Sequence, residues 1–138
     1  MDNKFMNIAL SEAKKAYSNN DVPVGAVIVK NGIVLSKAHN KKEKTGLPTS
    51  HAEIIAIEKA CKKLNDWRLN GCVMYVTLEP CFMCTGALVE SRIDKVIYAA
   101  DNVNKKTYSD CADLFIKDFE TTEECEKMLK SFFQTKRK

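Results

Sequence analysis

Hydrophobic positions along the chain switch between two periods. From residue 4 to 17, Phe5, Ile8, Ala9, Ala13, Ala16 and Tyr17 recur at helical spacing and predict an amphipathic helix. The period then shortens. "GAVIVKNGIVLSKA" gives two β-rich runs around Asn31-Gly32, a dipeptide that predicts a two-residue hairpin. "KKEKTGLPTS" is polar and predicts a loop. "AEIIAIEKACKKL" returns to the helical period, with Ile54, Ile57, Ala60, Cys61 and Leu64 as its apolar stripe. "CVMYVTL" and "KVIYAA" are near-continuous apolar runs, the pattern of strands buried on both faces. "MCTGALVESR" between them predicts a short helix. "LFIKDF" predicts a last, shorter strand, and "TTEECEKMLKSFFQTK" a final helix with Thr121 or Thr122 as its N-cap.

The resulting order is α-β-β-α-β-α-β-β-α. The strand–helix–strand stretch of the second half implies parallel pairing with right-handed crossovers. The first hairpin is antiparallel. The expectation is an α/β fold: a three-layer α-β-α sandwich around a mixed sheet of about five strands. With no internal repeat, low-complexity tract or Pro/Gly-rich linker, residues 1–138 are expected to form a single domain.

Hydrophobic content of 45% and charged content of 29% suit a globular protein that buries a core without disulfide staples. No apolar run approaches the roughly 18 residues of a membrane span. The first twenty residues do not read as a signal or transit peptide. The expectation is a cytoplasmic protein with reduced thiols. A net charge of +4 permits an anionic partner. The end, "MLKSFFQTKRK", sets Lys130, Lys136, Arg137 and Lys138 around Phe132 and Phe133. That mixture suits phosphate and base contacts. Taken alone, it reads better as a solvated helix end.

The chemistry concentrates in "EPCFMC", Glu79 to Cys84, behind the strand "CVMYVTL". A reducing compartment disfavours a Cys81–Cys84 disulfide. A thioredoxin-like redox pair stays open, because C-x-x-C here lies in a βαβ context. Upstream stands "HAE", His51 to Glu53, at the start of another helix. His51, Cys81 and Cys84 make three soft ligands of the kind that hold catalytic zinc and leave one position open. His39, Cys61, Cys72, Cys111 and Cys125 fall in no recognisable ligand spacing with them. The four cysteines read as small buried hydrophobes, and His39 as a packing or hydrogen-bonding residue. Two helix N-termini would converge on the metal and favour thiolate. Glu53 has two readings. Ser50 to Glu53 matches a capping box, and a carboxylate beside a metal site suits proton transfer. Residues two apart converge only where they straddle a helix start, which is where His51 and Glu53 stand. H-x-E followed by P-C-x-x-C is the zinc-deaminase signature, and together they favour the catalytic reading.

On these motifs the chain resembles the cytidine/deoxycytidylate deaminase superfamily. Within it, the chain resembles the bacterial tRNA adenosine deaminases, through "VPVGAVIV", Asn40, "PTSHAEIIAIEKA" and "DWRLNGCVMYVTLEPCFMCTGALVESRIDKVIY". The resemblance implies one zinc per subunit on His51, Cys81 and Cys84, with Glu53 as the catalytic proton carrier. Water activated at zinc would attack C6 of a wobble adenine in a tRNA anticodon loop, leaving inosine. A single-stranded loop lets that base leave its stack cheaply. The resemblance also implies a homodimer, and substrate contacts from Asn40, Asn102 and Phe133. Asn102 stands where that family usually has an aspartate, and no glycine follows it in "DNVNKKTYSDCADLF". Two other functions are weighed: a deaminase of free bases, nucleosides or nucleotides, and a non-catalytic zinc module that binds RNA.

Overall fold

The structure is a computed structural model, which describes residues 3–103 and 109–135. Five strands form one mixed sheet in the order β2-β1-β3-β4-β5. β1 (Gly25–Lys30) and β2 (Ile33–His39) form the expected antiparallel hairpin. Asn31 and Gly32 both take positive φ, 52° and 76°, which gives the turn the twist that adjoining strands need. β3 (Cys72–Leu78) runs antiparallel to β1 and parallel to β4 (Lys95–Ala100). β5 (Phe115–Lys117) adds a short parallel edge.

Helices cover both faces, as the sandwich reading expects. On one face, α1 (Lys4–Ser18) sets Met6, Ala9 and Leu10 against Val27 and Val29, and α5 (Thr122–Thr135) sets Cys125 near Ala99 and Ala100. On the other, α3 (Ala52–Leu64) sets Ala52, Ala56 and Ala60 against Ala26 and Ile28, while α4 (Phe82–Glu90) contributes Leu88 beside Met74 and Val96. Successive β1 residues therefore feed opposite clusters, each side chain removed from water. Burial of a Val or Ile contributes about 1.5–3 kcal/mol. The contact of α1 with β1 is close: a Cβ at Gly25 would collide with the Ala9 carbonyl oxygen.

Two local features, a single helical turn and a 3₁₀ segment, depart from the sequence reading. The polar stretch after β2 holds one helical turn, α2 (Lys42–Thr45), closed by Gly46 at φ 73°. A 3₁₀ segment, Ser109–Leu114, precedes β5. Thr121 stands at the expected cap position just ahead of α5, and its hydroxyl donates to Asp118 Oδ2 at 3.2 Å. Cys72 and Cys125 are buried as expected, but Cys61 and Cys111 are only partly covered. Among the described residues, no helix is long and apolar enough to cross a membrane. Lys136, Arg137 and Lys138 lie outside the described residues, as do residues 104–108.

Candidate active site

His51 and Cys81 each occupy the N-cap of a helix. His51 opens α3 with φ −78° and ψ 149°, and Cys81 opens α4 with φ −73° and ψ 178°. Extended backbone at those positions ends the preceding segment and turns the cap side chain back toward the first helical turn. Cys84 lies in the first turn of α4, where the Thr85 N–H donates to the Cys81 carbonyl. The two helix starts thereby bring one imidazole and two thiols together, with all ligand atoms within 4.8 Å of one another. His51 Nδ1 lies 3.6 Å from Cys81 Sγ and 3.5 Å from Cys84 Sγ. A tetrahedral zinc with ordinary Zn–S and Zn–N bonds separates sulfur from nitrogen by about 3.6 Å. The donor set and its spacing fit that ion.

The capping box, the competing reading of Ser50 to Glu53, does not form. His51 itself takes the cap position, so Ser50 falls one residue too early and Glu53 becomes the second helical residue. The Ser50 hydroxyl instead accepts from Thr45 Oγ1 at 2.8 Å. Glu53 is left facing the metal-ligand set with only 4% of its surface exposed. Burial pushes its carboxyl up to about 7, while its own backbone N–H and His51 pull the other way. A carboxyl near neutrality both takes and releases protons under working conditions. Hydrogen bonds from Cys84 and then His51 hold the Cys81 thiol down to about 4 against the opposing effect of burial. The bond to Cys81 and burial push Cys84 the other way, and His51 is raised chiefly by its bond to Cys81.

A cavity of about 140 Å³ opens beside these residues. His51, Glu53 and Cys81 line it, together with Val22, Val24, Asn40 and Lys42. Leu78, Glu79 and Asn102 complete the lining with Ala52. Asn40 bridges two segments, donating from Nδ2 to the Val22 carbonyl at 3.3 Å and accepting the Lys42 N–H at 3.1 Å. Asn102 donates its backbone N–H to Glu79 Oε1 at 3.2 Å and its Nδ2 to the Glu79 carbonyl at 3.3 Å. The second of these bonds needs an amide; a carboxylate has no N–H to give. Phe133 is not part of the lining. It lies on α5, 42% exposed, edge-on to Phe132 at 5.4 Å. His39 lies apart from the metal-ligand set, with Nδ1 3.1 Å from Glu12 Oε1. Sequence reasoning missed Glu79 and Lys42 as lining residues. Glu79 stood inside the singled-out "EPCFMC"; Lys42 stood in a polar stretch with no periodicity to place it.

A family model described as MafB19-like deaminase matches residues 1–137. A tRNA-specific adenosine deaminase of Bacillus subtilis is 40% identical over an alignment of 149 positions, covering 99% of this chain and 91% of that protein. One from Aquifex aeolicus is 57% identical over 96 residues, 70% of this chain and 64% of that protein. A solved structure from a study of A-to-I editing by tRNA:A34 deaminases superposes with a TM-score of 0.86 at 33% identity, over 93% of this chain and all of that one. A guanine deaminase structure from Bacillus subtilis gives a TM-score of 0.69 at 38% identity, over 73% of this chain and 66% of that one. The zinc-deaminase motifs, the site they build and this near-complete match make the chain a member of the MafB19-like deaminase family, alongside the tRNA-specific adenosine deaminases.

Proposed function

We propose that the chain is a zinc-dependent hydrolase that converts the wobble adenosine of a tRNA anticodon loop to inosine. The observation that carries this reading is the convergence of His51 Nδ1 and the thiols of Cys81 and Cys84 beside buried Glu53 at an open pocket. The tRNA-specific relatives and the tRNA:A34 deaminase structure support the substrate. A zinc ion held by the three ligands supplies a Lewis acid that brings the pKa of water to about 7. Glu53 takes a proton from the attacking water and gives it to the adenine ring nitrogen. It then takes the second proton from the hydroxyl newly bonded to C6 and delivers it to the amine, so that the C–N bond breaks as the C6 carbonyl forms. Water enters, ammonia departs, and inosine remains. Asn40 and Asn102 border the pocket and hold the nucleoside; Phe133 serves bases further out.

Incubation of an anticodon stem-loop carrying a wobble adenosine, followed by nucleoside analysis, tests the reading. Inosine at that position is the expected product. The likeness to a guanine deaminase favours a second reading, a free-nucleobase deaminase. Ammonia released from free guanine with the stem-loop unchanged would decide for it. The same proposal includes one zinc per chain and a cytoplasmic homodimer. Exposed Phe82, Met83 and Val89 on α4 support an association surface there.

A further inference from the structure

Asp21 is a buried carboxyl group that the chemistry above does not use. It follows α1, is 1% exposed, and stands outside the pocket lining. Its two oxygens reach across to another part of the chain. Oδ1 accepts the Glu43 N–H at 2.6 Å and Oδ2 the Lys44 N–H at 3.3 Å. Those amides belong to α2, the single turn that follows the pocket residue Asn40 and carries the pocket residue Lys42. Other bonds of this region tie it mainly to itself: Lys41 N–H to the Ser50 carbonyl, Thr45 Oγ1 to Ser50 Oγ, and Ser50 N–H to the Leu47 carbonyl. A four-residue helix has almost no intrinsic stability, because nucleation costs more than one turn returns. Its position depends on what fastens it to the body of the protein.

The fastening is one-sided. Asp21, Val22 and Val24 are consecutive or nearly so, and each grips the 40–44 stretch: Asp21 through its carboxyl, Val22 and Val24 through carbonyls that accept from Asn40. Asn40 keeps its bonds without Asp21, including the one from the Lys42 N–H. The Glu43 and Lys44 N–H groups, which complete the turn after Lys42, do not keep theirs. Lys42 is exposed at the pocket, and among the described residues it makes no ion pair. A cation beside a cation-binding site does nothing for the metal and suits an anionic ligand arriving from solvent.

We propose that Asp21 is a positioning residue for substrate: it locks α2 so that Lys42 meets the phosphate backbone of the nucleic acid at the pocket mouth. This rests on the deaminase reading above. The role separates binding from chemistry, because α2 carries neither a metal ligand nor Glu53. Removing the carboxyl leaves two amides without a partner and frees the turn.

The test is a graded series, Asp21→Asn and Asp21→Ala, made in the zinc-loaded protein. Asparagine keeps one acceptor for the Glu43 amide and puts a donor against Lys44, so it falls between wild type and alanine. Amide hydrogen exchange is expected to quicken at Glu43 and Lys44, with α3 and α4 unchanged. For the stem-loop, KM is expected to rise about tenfold in Asp21→Ala with kcat within about twofold. Fluorescence anisotropy of a labelled stem-loop is expected to show the same loss of affinity. The slope of log affinity against log salt should fall by about 0.7, the value for one phosphate contact on a single strand. A purely structural role would instead lower kcat and bound zinc together, or leave every parameter unchanged, and either result overturns the proposal. The exchange and anisotropy measurements need no turnover. A wild type that makes no inosine would therefore count against the deaminase reading alone.

Discussion

Glu53 owes its properties to a shift of one residue. With His51 in the cap, the glutamate points at the ligand set, and burial lifts its carboxyl to about 7. Glu53→Gln is expected to retain zinc, measured by metal analysis, while inosine formation falls by about 10²- to 10⁴-fold, the worth of a general acid–base group. His51→Ala, Cys81→Ala and Cys84→Ala are each expected to lose both zinc and activity, since two soft ligands leave a catalytic zinc under-coordinated. Undiminished zinc in these three variants would refute the ligand assignment. The four residues were legible because local spacing fixes them: H-x-E at one helix start, C-x-x-C at another. Their closeness across 30 and 33 residues was not contained in either motif and came from the fold. Asp21, Lys42 and Glu79 escaped detection because a carboxyl that grips a distant amide, or a lysine on a one-turn helix, leaves no period in the chain.

At the level of elements, the helical and strand periods predicted the major helices and all five strands, and the Asn31-Gly32 turn fixed the first pairing. The α2 turn was not visible, since four polar residues carry no hydrophobic stripe. The approach of α1 to β1 was equally hidden, although Gly25 makes it possible. Gly25→Ala forces a methyl group against the Ala9 carbonyl and the Ala13 nitrogen, both backbone atoms. A loss of about 1–3 kcal/mol or more in urea unfolding is expected. The same helix carries Glu12, only 4% exposed. Burial opposes its charge, but hydrogen bonds from Lys15 and His39 outweigh burial and hold the carboxyl below its ordinary value of 4.5. A lowered carboxyl contributes stability that is present above 4.5 and is lost as pH falls through its folded value. Glu12→Gln is therefore expected to lower the urea midpoint at neutral pH. The gap to wild type should close on the acid side.

Across the whole molecule, the mixed sheet puts the start of β1 and the end of β3 at the pocket, and the Gly25 N–H donates to Thr77 Oγ1 at 3.1 Å between them. The cavity thus opens beyond the carboxyl end of β3, where open sheets of this kind bind ligands. Chelation of zinc is expected to lower the midpoint of thermal unfolding, and added zinc to restore it, because the ion binds the folded chain alone. Both helices that present the ligands pack on the same apolar cluster, through Ala52, Ala56 and Ala60 on one and Leu88 on the other. That packing has no share in the metal bonds. Ion capture is accordingly expected to be the last act of assembly. A chain made during a zinc shortage should then be a finished scaffold awaiting its ion, and replenishment should revive it without any need to refold.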